Sequence, residues 1–542
     1  MELKHIKKPS AEQKSQNSKF KIAISYPPMP SEKGIPLLGQ NRQFQWFNNP
    51  TYIYPMVPSY AASLLQEHGF DVMWDDGIAE ELTSEDWLER IKKFKPDLIA
   101  FESKTPVIKR HWKLIEIIKK ELPETTVILF GDHVTAMPEE SMKNSVVDFV
   151  LTGGDYDFLL LNVANHINHG EKLEAGVWYR EDLGLRTSDL GLRTSDIPQN
   201  PKPKTQVPAI KNTGHFELNH DLDDLPLIDR DLTKWQLYAY KNGNYKNTPG
   251  TYTYAARDCW WGKCAFCSWT TIYPGKDYRK HSAKRMLDEV GILIDKYHIK
   301  EIMDDSGTFP IGPWLKEFCE GMIERGYNKK VIIDCNMRLK ALNQEEYKLM
   351  GKAGFRFILY GLESANQNTL DRINKNLKVS EIEQGAKMAK AGGLEPHITT
   401  MMGYPWETKE DAKRTVALAK SLFDKGYVDT LQATIVIPYP GTPLFRECKE
   451  NGWLLTEDWD NYDQRMAIMK SPLTESDIKE LTQDLYKSFV TPKFIFRKIL
   501  SIRSWTDIKF IFRAGAKVLG HLMDFSPKTK TVEKTEHGCD QC

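Results

Sequence analysis

Short apolar runs alternate with amphipathic stretches along most of this chain. Runs at 20–26, 70–74, 97–101, 127–130 and 148–152 are rich in β-branched and aromatic residues and read as buried strands. Between them, 57–68, 84–94, 107–121 and a stretch ending near 168 carry apolar residues at helical spacing. This order predicts an α/β fold beginning with a Rossmann-like, doubly wound parallel sheet. Ligands of such sheets bind beyond the C-terminal strand ends. Those ends carry Pro27-Pro28, Glu102-Ser103, Gly131-Asp-His133-Val-Thr135 and Thr152-Gly153-Gly154-Asp155.

From Thr251 the alternation resumes, with strands expected at 252–256, 299–303, 331–335, 355–360, 395–401 and 430–437. About six β/α units are too few for an eight-unit barrel and suit a partial (β/α)6, TIM-like one, with reactive groups at its C-terminal strand ends. The boundaries expected are a disordered 1–18, a first domain at 19–180, a linker at 181–250, the barrel at 251–460, a helical region at 461–525 and a disordered tail at 526–542. The linker is rich in Pro, Asn, Asp and Gly. It contains a tandem Leu-Gly-Leu-Arg-Thr-Ser-Asp at 183–189 and 190–196, read as a tolerated insertion. Thr474, with Asp477 three residues on, reads as a helix N-cap.

Formal net charge is zero, so no global field favours nucleic acid or an anionic membrane. Locally, 493–523 holds seven Lys/Arg against one acidic residue, Asp507, among Phe, Ile and Leu. It reads either as a domain-covering helix or as a basic amphipathic helix making peripheral membrane contact. No apolar run is long enough to span a bilayer and no secretory signal opens the chain, so the cytoplasm is the expected location. The cysteine usage is that of a reducing compartment.

Of eight cysteines, three crowd into Cys259-Trp-Trp-Gly-Lys-Cys264-Ala-Phe-Cys267. Three thiolates on a [4Fe-4S] cluster leave one iron open to a substrate or cofactor. The same residues can instead hold zinc with a remote fourth ligand, or remain reduced thiols. Cys319, Cys335 and Cys448 read as buried side chains. Cys539 and Cys542 form a terminal C-x-x-C pair, a candidate metal or redox site.

Further motifs stand at strand ends: Gly-Leu-Glu363-Ser364 at 361–364, Met-Met-Gly-Tyr-Pro-Trp-Glu-Thr at 401–408, and Pro-Tyr-Pro-Gly-Thr-Pro at 438–443. In this order, over roughly 20–460, the chain resembles the cobalamin (B12)-binding-domain-containing radical S-adenosylmethionine (SAM) enzymes. It departs from that family's C-x3-C-x2-C by one extra residue between Cys259 and Cys264. The resemblance implies three cofactors: a [4Fe-4S] cluster on Cys259, Cys264 and Cys267, SAM, and cobalamin. Phe266 would pack near the adenine of SAM, with Glu363, Ser364 and Arg338 also contacting SAM. Asp304 and Asp305 end strands facing the same cavity. Cobalamin would meet Gly131, His133, Thr135, Gly153 and Gly154, where small residues let a ligand approach the backbone. A D-x-H-x-x-G motif is absent, so His133 is expected to hydrogen-bond rather than ligate cobalt. Trp260 and Trp261 are expected to diverge, one of them packing.

The activity implied is anaerobic: reductive cleavage of SAM, hydrogen abstraction from an unactivated carbon, and C-methylation. Alternatives are a radical cyclase or oxidase of a lipid or tetrapyrrole-like substrate and, more remotely, a noncatalytic cobalamin or redox sensor. The expected partners are a small-molecule or lipid substrate and a reductant such as flavodoxin or ferredoxin, with no nucleic acid.

Overall fold

The computed structural model describes residues 3–38, 44–48, 50–181, 209–243, 245–274, 278–487, 491–500, 502, 505, 507–512 and 515. The tandem repeat and the Cys539/Cys542 pair lie outside these residues, as does the tail at 526–542.

The N-terminal sheet runs in the order Asp71–Asp76, Lys21–Tyr26, Leu98–Glu102, Thr126–Phe130, Phe149–Leu151, Val177–Arg180, Ile210–Asn212. Its first five strands are parallel. Ile22 and Ile24 share one apolar cluster with Leu64 and Leu160, from helices Met56–Glu67 and Tyr156–His169. Ala23, between them, joins Trp87, Ile91 and Ile115, from Ser84–Phe94 and Ile108–Glu121. The pleat sends alternate residues into two covered faces, which explains the near-continuous apolar runs.

The last two strands are antiparallel and were not expected from the sequence. One directly precedes the segment read as a linker and the other lies within it, so their pairing is visible only in three dimensions. From 209 onward that segment is a packed strap: Arg230 is fully buried and donates to Thr251 Oγ1 (2.7 Å), Tyr252 O (2.9 Å) and Glu289 Oε1 (2.9 Å). Tyr238 receives the Trp74 indole N–H (3.1 Å) and donates to Asp76 (2.6 Å). Residues 3–18, expected to be disordered, also fold onto the domain. Ser10 and Gln13 form a capping box on helix Ala11–Asn17, and buried Asn17 donates to the His68 carbonyl (2.8 Å).

The second sheet is wholly parallel and sequential: Gly250–Thr253, Glu301–Asp304, Ile332–Met337, Phe355–Glu363, Glu395–Met402, Thr430–Ile435. It is a six-stranded partial barrel. At its strand-start end Arg356 binds Glu301 (2.8 Å), Asp334 (2.8 Å) and Glu395 (3.0 Å). The N-terminal domain meets both barrel margins: Tyr252, Tyr254 and Tyr273 join one of its cores, and Ile437, Tyr439 and Trp459 the other. The region expected to be helical from 461 is not so at once. Met469 bridges to Leu454, and helices follow at Glu475–Tyr486 and Pro492–Leu500.

Burial keeps three histidines neutral, lowering His111 and His281 to about 3 and His68 to about 4 from 6.5. Between those values and pH 6.5 the unfolded chain binds protons that the folded chain refuses. The contribution of these three to stability should therefore be full above pH 6.5 and fall below it, by roughly 1 kcal/mol per pH unit for each histidine. Urea unfolding midpoints on either side of pH 6.5 test this, and His111→Asn should flatten the slope.

Candidate active site

Strand Ala256–Arg257 pairs antiparallel with Arg279–Lys280, so the cysteine loop leaves and returns at one barrel edge. Neighbouring strand-end segments pin it. Trp260 N donates to Thr308 Oγ1 (3.2 Å), Trp261 Nε1 to Asn374 O (2.7 Å), Ala265 N to Ile373 O (2.9 Å), and Leu444 N to Ala265 O (2.9 Å). Gly262, at φ +57°, turns the longer first span of the loop. The two tryptophans do not diverge: the Arg338 guanidinium lies 5.4 Å from the Trp260 ring centre and 5.0 Å from that of Trp261. Cation–π attraction on two rings is what brings them together.

The sulfurs of Cys259, Cys264 and Cys267 do not converge within 4.8 Å as a set, among the described residues. Zinc–sulfur bonds of about 2.3 Å would hold tetrahedral thiolates only about 3.8 Å apart. Burial pushes the Cys264 and Cys267 thiols up, while Lys375 and Arg338 pull Cys264 back down. Bound iron would complete the ionisation.

Lys375 was not expected from the sequence. Its ammonium donates to Glu363 Oε1 (2.7 Å) and sits 6.0 Å from the centre of the buried Phe266 ring. Arg338 donates to the Lys375 carbonyl. Glu363, Lys375, Arg338 and Phe266 thus gather beside Cys264. A β-bulge between Gly361 and Glu363, with Glu363 at φ +63°, aims that carboxylate off the ladder. Any Cβ on Gly361 would overlap the Glu363–Lys375 pair. The available signal for Lys375 was its setting between Asn374 and Asn376, both left-handed here, a conformation asparagine tolerates.

Ser364, read as a SAM contact, donates its hydroxyl to Glu407 (2.5 Å) and accepts from Asn366 N (3.1 Å), bonds that brace the loop. Asp304 is likewise structural, accepting from Thr253 Oγ1, Ala255 N and Ser306 Oγ.

The N-terminal strand ends face this loop across a tight seam. Tyr273, just beyond the cysteines, donates to the Gly154 carbonyl (3.2 Å), and a Cβ on Gly154 would overlap its ring. Gly153 packs on Phe216. At both positions the missing Cβ makes room for an aromatic side chain. His133 has Thr105 Oγ1 on Nδ1 and Glu140 on Nε2, both at 3.2 Å, which leaves no nitrogen for cobalt. Thr135 Oγ1 donates to the Gly131 carbonyl (2.7 Å) and accepts from Gly153 N (3.1 Å). Buried Arg257 binds both Asp155 (2.9 Å) and Asp157 (2.8 Å), and Arg279 clasps Asp155 with two bonds (2.6 and 2.7 Å). Two buried hydroxyls at the seam, Tyr156 and Thr271, have no hydrogen-bond partner among the described residues. Orphan donors between two domains fit a polar ligand such as cobalamin, with its amide fringe.

Residues 255–419 match the radical SAM superfamily, and residues 50–159 match the B12 binding domain. The chain is 28% identical to the uncharacterized methyltransferase PH0819 of Pyrococcus horikoshii, over 82% of this chain and 90% of that protein. It is 24% identical to the anaerobic magnesium-protoporphyrin IX monomethyl ester cyclase of Cereibacter sphaeroides, over 82% of this chain and 68% of the cyclase. The fold is similar to that of the radical SAM methyltransferase TsrM of Kitasatospora setae, solved with cobalamin and a [4Fe-4S] cluster. That match has a TM-score of 0.62 at 14% identity, over 94% of this chain and 99% of TsrM. The chain belongs to the radical SAM enzymes that carry a B12-binding domain. Its cofactors are a [4Fe-4S] cluster, SAM and cobalamin.

Lys375→Ala should weaken SAM binding by roughly tenfold to a hundredfold, with Lys375→Arg partly restoring it, as read by equilibrium binding to the cluster-loaded protein. Gly154→Ala should leave the iron–sulfur absorbance and 5′-deoxyadenosine formation in place. Final product should fall by roughly a hundredfold, because the seam is spread at Tyr273, beyond the three cysteines.

Proposed function

We propose that this chain is a cobalamin-dependent radical SAM C-methyltransferase acting on an unactivated carbon of a small molecule. The observation that carries the reading is the Tyr273–Gly154 contact, which joins the cluster loop directly to a strand end of the B12-binding domain. One substrate in that seam would be reached by both cofactors. When bound, the cluster and SAM supply a hydrogen-abstracting radical, and cobalamin supplies the methyl group.

The protein's own residues position and shield. The amino-acid head of SAM is a zwitterion, and Glu363 and Lys375 form a matched anion and cation 2.7 Å apart beside Cys264. Glu363 would accept from the SAM ammonium, with Lys375 and Arg338 turning to its carboxylate. Trp260, Trp261 and Phe266 exclude water from the cluster side. Tyr156 and Thr271 would donate to cobalamin across the seam.

Radical SAM enzymes act on small molecules and require an electron donor. A flavodoxin or ferredoxin in the cytoplasm is the donor that suits this chain. No helix among the described residues is long and apolar enough to cross a membrane. The cyclase relative supports a second reading, radical cyclisation or oxidation with the same cofactors.

Anaerobic incubation with reductant, cobalamin, methyl-labelled SAM and the small-molecule fraction of the source cells separates these. The expected result is 5′-deoxyadenosine together with label in a new compound. 5′-Deoxyadenosine with an unlabelled new compound would move the chain to the cyclase or oxidase reading. Neither, from a protein with its cluster intact, would end the enzyme reading.

A further inference from the structure

The four most exposed large apolar side chains among the described residues are Trp505 (78%), Phe512 (76%), Phe496 (62%) and Leu500 (62%). All lie in the C-terminal segment, with Ile495 and Ile499 also exposed. A surface helix normally turns its apolar stripe inward. Helix Pro492–Leu500 does the reverse. It docks through Phe494, stacked on Phe423 at 4.8 Å, through Arg497, which donates to the Phe423 and Asp424 carbonyls, and through Lys498, which pairs with Asp429 (3.2 Å). Positions 495, 496, 499 and 500 therefore share the opposite, outward stripe. Further along, Asp507 pairs with Lys246 (2.6 Å), fastening the next turn to the barrel's strand-start end and leaving Phe512 outward.

We propose that this stripe is a docking surface for an anionic lipid bilayer. The chain as a whole is neutral, yet 493–523 carries seven Lys/Arg against Asp507 alone; Arg497 and Lys498 are taken up by the inward contacts, while Lys493 and Lys509 are exposed beside the stripe. Apolar and aromatic side chains beside cations match the two attractions that hold an interfacial helix: apolar burial and the field of anionic headgroups. A second copy of the chain would set the same cations against each other, which charge disfavours. Bilayer contact would lie at the end of the barrel opposite the cysteine loop. It tethers the enzyme without covering the site, and it does not depend on the methylation reading.

The full chain, loaded with its cluster, is floated with phosphatidylcholine vesicles with and without phosphatidylglycerol. It should float with the phosphatidylglycerol vesicles, and high salt should release it. Phe496→Asp with Leu500→Asp should weaken that binding by roughly tenfold or more. Lys493→Glu with Lys509→Glu should weaken it similarly, with SAM cleavage unchanged in both. Three results would each overturn the proposal: no flotation, equal flotation on pure phosphatidylcholine, or a lipid-free dimer abolished by Phe496→Asp.

Discussion

The seam between the two domains turns on one buried ionic cluster, Arg257 and Arg279 with Asp155 and Asp157. Arg257 stands two residues before Cys259, and Asp155 directly follows Gly154. Burial by itself would raise the Asp155 carboxyl, but Arg279 and Arg257 hold it well below the usual carboxylate range. Charges taken out of water tolerate few geometries, because losing one partner leaves the other desolvated and unpaired, at a cost of roughly 3–5 kcal/mol. The forked guanidiniums add direction to that constraint. Two domains that could slide over an apolar interface are thereby held in one register. The cluster loop keeps its place opposite the B12-binding strand ends.

Around the cysteines the electrostatics serve the same end. Two half-buried thiols packed in this loop do not ionise readily, and Lys375 and Arg338 bring positive charge to the spot where a negatively charged cluster would sit. Arg338 also draws Trp260 and Trp261 together, so one side chain supports both the charge balance and the hydrophobic wall. Family membership assigns the cofactors, and Glu363, Lys375 and Arg338 beside Cys264 are the residues proposed to receive SAM. The methyltransferase reading joins these to the relatives on either side of it, one a methyltransferase and one a cyclase.

Much of this was legible in the linear chain. Both parallel sheets follow from apolar runs bounded by amphipathic stretches, because a strand covered on both faces must be apolar throughout. The cysteine loop and Glu363 were legible for a related reason: ligands gather where parallel strands end, and those ends are marked by glycine, proline and charged residues. The strap at 209–250 was not legible. Its composition is that of a loop, and its burial rests on Arg230 and Tyr238 finding partners far along the chain. A hydroxyl at a strand end, as at Ser364, looks the same in sequence whether it meets a ligand or Glu407. A missing Cβ, as at Gly153 and Gly154, admits an aromatic ring as readily as a cofactor.

By itself, then, the sequence determined the class of fold, the order of the two domains and the crowding of three cysteines into one loop. Each of these is written in local periodicity or close spacing, where neighbouring residues suffice to define the feature. Only the tertiary structure decided that Lys375 joins Glu363, that both tryptophans turn to Arg338, and that the outward face of the C-terminal helix is its apolar one. Those are contacts between residues from different elements, set by how the domains pack, and nothing in local sequence encodes them.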